Sequence, residues 1–229
     1  GLDDAQREAL GVREASGHRF TGQGDCLEVD GVDDAADFGA TLDALCGIGV
    51  SEGERASILQ LLAGILHIGD LDFAANADGS ARMDEHTEAA TCRALGLEGP
   101  LARVALCNRK IKAGLEALQV PKSKAEAQAS RDAVARSLYT RLFDWLLARI
   151  NKCLAATKDC RGNAKGFIGL LDIFGFEIMD ENGFEQVCIN FANEKLQRYF
   201  NVEMLAREQD EYAAEGVEWQ QVEFQDNRN

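Results

Sequence analysis

Apolar residues recur along most of the chain at three- and four-residue steps, and that spacing predicts a largely helical protein. Phe38, Leu42 and Leu45 form one stripe, on a helix that Asp33 or Asp34 can cap and that runs to about Cys46. Ile58, Leu61, Leu62, Ile65 and Leu66 form a second, on a helix opened by the capping box Ser51-x-x-Glu54. His67 closes that helix and reads as structural. A third and longer helix begins at the box Ser123-x-x-Glu126 and runs to about Leu154. Val134, Leu138, Leu142, Trp145, Leu146 and Ile150 mark its buried side, and Tyr139 and Phe143 read as core with Trp145. Residues 2–10 read as the end of a helix, and 84–95 predict a shorter helix. The stretches 16–31, 74–83, 116–121 and 157–165 are polar or glycine-rich and read as loops, turns or connectors.

One stretch breaks the helical period. Phe167 to Leu171 is almost wholly apolar, bounded by Gly166 and Asp172, and has the length of a strand buried on both faces. Asp172-Ile173-Phe174-Gly175-Phe176-Glu177 follows, with a carboxylate at each end and a glycine inside. Asn182-x-x-Glu185 then reads as a capping box. Beyond it Phe184, Val187, Cys188, Phe191, Leu196, Tyr199, Phe200 and Met204 predict one helix of about six to eight turns. A buried strand delivering an Asp and a Gly to a loop, followed by a long helix, suits a phosphate sensor. The carboxylate can hold a metal through water, and the glycine admits close approach of an anion to a backbone N–H. The fold class expected is α/β and predominantly helical.

Composition narrows the classes. With 229 residues, 46% of them hydrophobic, the chain can bury a sizeable core in one or two domains. No apolar run is long enough to span a membrane, and the acidic start lacks the apolar core of a signal peptide. The absence of an initiator Met points to a fragment or a processed chain. The seven cysteines are scattered without a CxxC pair and read as reduced thiols of a cytosolic protein. Asp30, Asp33 and Asp34 read as helix-capping carboxylates rather than a cation site.

The net charge of −15 is unevenly spread. Residues 1–100 hold 20 acidic side chains against six arginines and no lysine, whereas 109–124 holds Arg109, Lys110, Lys112, Lys122 and Lys124 against Glu116 alone. An acidic chain with one basic segment argues against nucleic-acid binding. On charge alone the segment is either a solvated loop beside a helix or a focused contact for an acidic protein surface.

DIFGFE followed by NGFEQVCINFANEKLQRYF resembles the switch II loop and relay helix of the myosin motor domain, and the likeness continues through EQDEYAAEGVEW and VEFQDN. VDGVDDAADFGATLDAL and GILHIGDLDF extend it toward the N-terminus. CNRKIKAGLEALQVPKSKAEAQASRDAVARSLYTRLFDWLLARIN looks closest to class V myosins. The resemblance implies that 1–165 is part of the upper actin-cleft subdomain, with an actin-contacting loop over about 108–124. It makes 166–177 the central strand and switch II, and 178–229 the relay helix and relay loop, with the loop at Glu208 to Trp219. Asp172 would then hold Mg²⁺ through water, the Gly175 amide would bond the γ-phosphate of ATP, and Glu177 would pair with a switch I arginine. Arg109, Lys110, Lys112, Glu116 and Lys122 would meet the actin filament, with Glu116 at a position that tunes actin-activated turnover. Trp219 would be an exposed contact to a converter. Light chains or calmodulin would bind only a neck outside this chain, and the location implied is the cytoplasmic cytoskeleton. Arg136 stands where the family usually has Lys, and Gly183 where it usually has Ser. No GxxxxGK[ST] phosphate loop occurs, and switch I is absent as well. The expectation is therefore a piece of an actin-activated ATPase that is inactive alone. The alternatives are a non-hydrolysing actin-binding or scaffold module, or an incomplete gene product.

Overall fold

A computed structural model describes residues 1–24, 26–113, 116–155 and 168–223, without the side chains of 112, 113, 116 and 117. The chain divides into two compact units, Gly1–Asn163 and Ala164–Asn229.

The first unit is helical with two small hairpins. Helix α1 (Asp4–Leu10) is opened by Asp3, whose side chain accepts from the Gln6 N–H while Gln6 reaches back to the Asp3 N–H. It is thus a short capped helix rather than the tail of a longer one. A 3₁₀ turn at Ala15–Gly17 and the single-turn α2 (Arg19–Gly22) then interrupt the expected loop. Asp33 caps α3 (Asp34–Gly47), accepting from the Ala35 and Ala36 N–H groups at 3.0 Å. Ser51 and Glu54 cap α4 (Glu52–Asp70) reciprocally, as expected. Helices α5 (Glu85–Leu95) and α6 (Gly99–Cys107) lead to α7 (Lys124–Leu154), which opens on the Ser123–Glu126 box.

Residues 74–83 are not an exposed loop. β1 (Phe73–Ala75) pairs antiparallel with β2 (Ala81–Met83) across a turn in which Asp78 accepts from the Ser80 N–H at 2.9 Å. The hairpin forms because its inward residues are apolar. Leu71, Phe73, Ala81 and Met83 are buried with Leu106, Cys107 and Ala127 in one core cluster. A second cluster joins Ile65 and Ile68 of α4 to Ala135 of α7, with Leu61, Leu95 and Leu138 against it. A Cβ built at Gly64 would stand 2.1 Å from Leu95 Cδ2, so this glycine lets α5 close on α4.

The buried face of α7 differs from the expected one. It runs through Ala127, Arg131 and Ala135, and Arg131 donates to the Leu71 carbonyl at 2.9 Å and pairs with Asp132. Val134, Tyr139, Phe143 and Trp145 are exposed instead of core. Ala127 and Ala135 bring α7 close to its neighbours, with buried Arg131 between them reaching the Leu71 carbonyl, and the bulky apolar residues flank the contact. Leu138, Leu142 and Trp145 line a groove of about 500 Å³ with Ile58 and Leu61, and Tyr139 lines one of about 610 Å³ with Leu62 and Leu66.

The N-terminal segment is fastened to the end of α4. Buried His18 accepts the Arg13 N–H at Nε2 (3.0 Å), so its Nδ1 carries the proton and donates to Asp70 at 2.6 Å. Asp70 also accepts from the Arg19 N–H (2.8 Å) and the Arg13 side chain (2.6 Å). Burial works to raise the Asp70 carboxyl, but these hydrogen bonds outweigh it and hold it below the usual range. His67 is structural as expected. It is buried, meets the Leu10 carbonyl at 3.1 Å and stacks edge-on against His18.

In the second unit, residues 168–183 form no regular element and lead into α8 (Phe184–Phe200). A π-helical turn at Asn201–Ala206 connects α8 to α9 (Arg207–Glu215), which ends at Gly216 with φ 68°. The helical run is therefore longer than six to eight turns and is broken by the π turn. The segment expected to be a relay loop from Glu208 is helical up to Glu215. Trp219 is half-buried, edge-on to Tyr212 at 6.1 Å, rather than a freely exposed contact. Among the described residues no helix is long and apolar enough to cross a membrane.

Candidate functional site

The loop carrying Asp172, Gly175 and Glu177 is held from α8, by amide side chains on one helical face. Asn190 makes two hydrogen bonds to the backbone of one residue: its Oδ1 accepts the Glu177 N–H at 2.8 Å, and its Nδ2 donates to the Glu177 carbonyl at 2.8 Å. Asn193, three residues on and buried, donates to the Gly175 carbonyl at 3.1 Å and to the Ile189 carbonyl at 2.9 Å. Gln186, one turn before Asn190, donates to Glu177 Oε2 at 3.4 Å. Positions 186, 190 and 193 are spaced four and three apart, so they share a face. An irregular segment cannot satisfy its backbone polar groups in a ladder, and here Asn190 and Asn193 take three of them, while Gln186 meets the Glu177 carboxylate.

The cap of α8 lies one residue later than the sequence implied. Gly183 is the N-cap, and Gln186, not Glu185, reaches back to its N–H at 2.7 Å. Asn182 closes the preceding turn, accepting from the Met179 N–H and donating to the Met179 carbonyl. The amides at 186, 190 and 193 were missed. Their signal was two asparagines and a glutamine at helical spacing, beside the apolar stripe of the same helix.

Gly175 and Glu177 are thus brought together against α8, and Asp172 is exposed. Space around Gly175 is open, with nothing within 4 Å of a Cβ placed there, and its φ is not positive. The strand expected over 167–171 is not formed where it is described: Ile168 is 97% and Leu170 96% exposed, and Phe167 lies outside the described residues. The physical reason is pairing. A strand needs a neighbour to take its N–H and C=O groups, and the described strands pair only within their own hairpins. Among the described residues no group of three or more His, Cys, Asp or Glu could hold a metal. Asp172 supplies one carboxylate and Gly175 one amide, which alone do not fit a complete Mg²⁺–ATP site.

The basic segment of the first unit is a hairpin rather than a loop. β3 (Asn108–Ala113) pairs antiparallel with β4 (Glu116–Pro121), setting Arg109 opposite Val120, Lys110 opposite Gln119 and Lys112 opposite Ala117. Arg109, Ile111, Leu118 and Val120 alternate onto one face, and Lys110 and Gln119 onto the other. Arg109 lies 3.7 Å from Glu126 at the start of α7, and Lys110 is exposed. Lys122 is only half exposed and turns inward: its ammonium donates to the Ala105 carbonyl at 3.2 Å and to Ser130 Oγ at 2.8 Å. The side chains of Lys112 and Glu116 lie outside the described residues. Hydrogen bonds from the Ser123 N–H and hydroxyl, aided by Arg109 and Lys122, hold the Glu126 carboxyl below its ordinary value.

Comparison with known proteins places these features in a family. Residues 1–229 match the Myosin head (motor domain) family. The chain is 38% identical to Myosin-1 of Malassezia globosa over 97% of its own length, and 35% identical to Myosin heavy chain IB of Acanthamoeba castellanii over 100%. It is 40% identical to Myosin-52 of Schizosaccharomyces pombe over 95%. The chain belongs to the myosin head family. It spans 14–19% of the length of these relatives. The relatives, mostly Myosin-1 proteins, do not support the class V likeness of the 107–151 segment.

Proposed function

We propose that this chain is the part of an actin-based motor that senses nucleotide state and passes the change to a long helix. The observation that carries this reading is the grip of α8 on the loop: Asn190 and Asn193 bind the backbone of Glu177 and Gly175 directly. A shift of the loop must move α8, or break those bonds. In the complete head, Asp172 would hold Mg²⁺ through water, the Gly175 N–H would meet the terminal phosphate of ATP, and Glu177 would pair with an arginine outside this chain. Phosphoryl transfer of this kind depends on positioning and electrostatic stabilisation, so holding a loop in place is the chemistry these residues do. Actin filaments are the partner, met through the basic face of the β3–β4 hairpin. Light chains or calmodulin would bind outside this chain, and the setting is the cytoskeleton.

The test is ATP turnover by the full-length protein, with and without actin. Glu177→Ala is expected to lower turnover by about a hundredfold or more. Lys110→Glu is expected to raise the actin concentration needed for half-activation while leaving basal turnover unchanged. The 229-residue chain alone is expected to show no turnover. Wild-type turnover with Glu177→Ala would refute the catalytic reading. A protein that binds actin without any hydrolysis would instead support a non-hydrolysing actin-binding module, a reading favoured by the basic hairpin and the loop belonging to separate compact units.

A further inference from the structure

Of the described basic side chains between Arg109 and Lys124, Lys122 is placed differently from the rest. Its backbone N–H donates to the Cys107 carbonyl at 2.8 Å, and its carbonyl accepts from the Ala81 N–H at 2.7 Å. Its ammonium bonds the Ala105 carbonyl, in the last turn of α6, and Ser130 Oγ on α7. The Ala105 carbonyl is among the four at a helix C-terminus without an intrahelical partner, where the helix dipole favours a cation. Ser130 in turn donates its hydroxyl proton to the Glu126 carbonyl at 2.8 Å, leaving a lone pair for Lys122. One residue therefore ties the first hairpin, the end of α6, the base of the second hairpin and the first turns of α7.

We infer that Lys122 is a positioning residue for partner binding: its ammonium fixes the angle at which the β3–β4 hairpin leaves the helical unit, and it does not itself touch the partner. A two-stranded hairpin has little stability of its own, so its direction is set where it is rooted. With the ammonium in place, the Lys110 face points one way; without it, the polar link from the Ala105 carbonyl of α6 to Ser130 of α7 is lost, and α6 and α7 are held at the root by the packing of Leu106 and Cys107 with Ala127. The inference rests on the actin reading above, which assigns the hairpin its partner.

The experiment is cosedimentation of the full-length protein with actin filaments across a salt series, for Lys110→Met, Lys122→Met and Ser130→Ala. Hydrogen exchange of the hairpin is measured on the same proteins. Lys110→Met, a contact variant, is expected to weaken binding and flatten its salt dependence. Ser130→Ala changes no charge, yet is expected to weaken binding by up to about tenfold with the wild-type salt dependence, and to speed exchange over 108–122. Lys122→Met is expected to follow Ser130→Ala. A silent Ser130→Ala, with Lys122→Met flattening the salt dependence as Lys110→Met does, would overturn the positioning role and make Lys122 a contact. If no variant, Lys110→Met included, alters binding, the actin reading fails. The brace is then judged by exchange alone, and unchanged exchange in both Lys122→Met and Ser130→Ala overturns it.

Discussion

Asn190→Ala removes two hydrogen bonds at once, both 2.8 Å long and both to Glu177. Each is a neutral bond at half-buried Glu177 in an otherwise exposed loop, contributing about 1 kcal/mol net, so the pair contributes about 2 kcal/mol to holding Glu177 against α8. At 1.4 kcal/mol per tenfold, the population of the detached loop rises about 30-fold. Hydrogen exchange resolved to peptides across 174–180 of the full-length protein reads that population, provided opening is local. Asn190→Asp keeps an acceptor for the Glu177 N–H but loses the donor and faces the Glu177 carbonyl with an oxygen. It should fall between wild type and Asn190→Ala. Asn182→Ala is the control, because the Asn182 bonds close the Met179 turn and do not reach Glu177. Exchange at the Glu177 amide within twofold of wild type in Asn190→Ala would refute the reasoning and leave Asn193 as the main tether.

Asp70→Ala should destabilise the first unit by about 3 kcal/mol, because buried His18 and the Arg19 N–H lose their acceptor while the largely exposed Arg13 contributes little. For a unit of this size that is roughly 6–12 °C in melting temperature, read by circular dichroism. Because the Asp70 carboxyl is held below its ordinary value, its contribution is present above the unfolded value of about 4 and fades as pH falls through the folded one. The gap between wild type and Asp70→Asn should therefore narrow below about pH 4, and a gap that widens there would contradict the assignment. Gly64→Ala should cost about 1–3 kcal/mol by driving a methyl into Leu95, 2.1 Å away, whereas Gly53→Ala on the same helix meets open space and should stabilise by up to about 1 kcal/mol. Equal effects in urea unfolding would refute the packing argument.

Local signals in this sequence were legible and non-local ones were not. Ser51 with Glu54, Ser123 with Glu126, and Asp33 all cap where their spacing indicated, since a cap is settled within four residues. The two hairpins were hidden. β1 and β2 are three residues each and rich in alanine, and Asn76 to Ser80 reads as loop because it is the turn. The β3–β4 strands carry basic residues where a buried strand would be apolar, because Arg109, Ile111 and Leu118 on one face and Lys110 and Gln119 on the other are all exposed. The reverse error came from 167–171, whose apolar run resembles a strand but whose pairing depends on partners the sequence cannot point to. On α7 the helical period located the stripe, yet the close contact runs through Ala127, Arg131 and Ala135 rather than through Trp145. Periodicity ranks bulky apolar residues first, whereas this contact is made by two alanines with Arg131 between them. In the loop, Asp172, Gly175 and Glu177 stand out by their order, while the amides on α8 that hold Gly175 and Glu177 carry no local mark beyond their helical spacing.

The π turn between α8 and α9 gives the helical run a second length. Within it the Arg207 N–H bonds the Val202 carbonyl, five residues back rather than four. Each such ring holds one residue more than an α turn, so everything after Ala206 lags by about 100° of rotation and 1.5 Å of rise behind an unbroken α-helix. Returning the turn to α geometry would advance the downstream residues by that increment, like a screw turned by one step, without lengthening the chain or breaking any bond before Asn201. The run from Phe184 to Glu215 is thus a shaft with a built-in phase offset. Its two ends need not keep the same angular setting when the loop at one end is pulled.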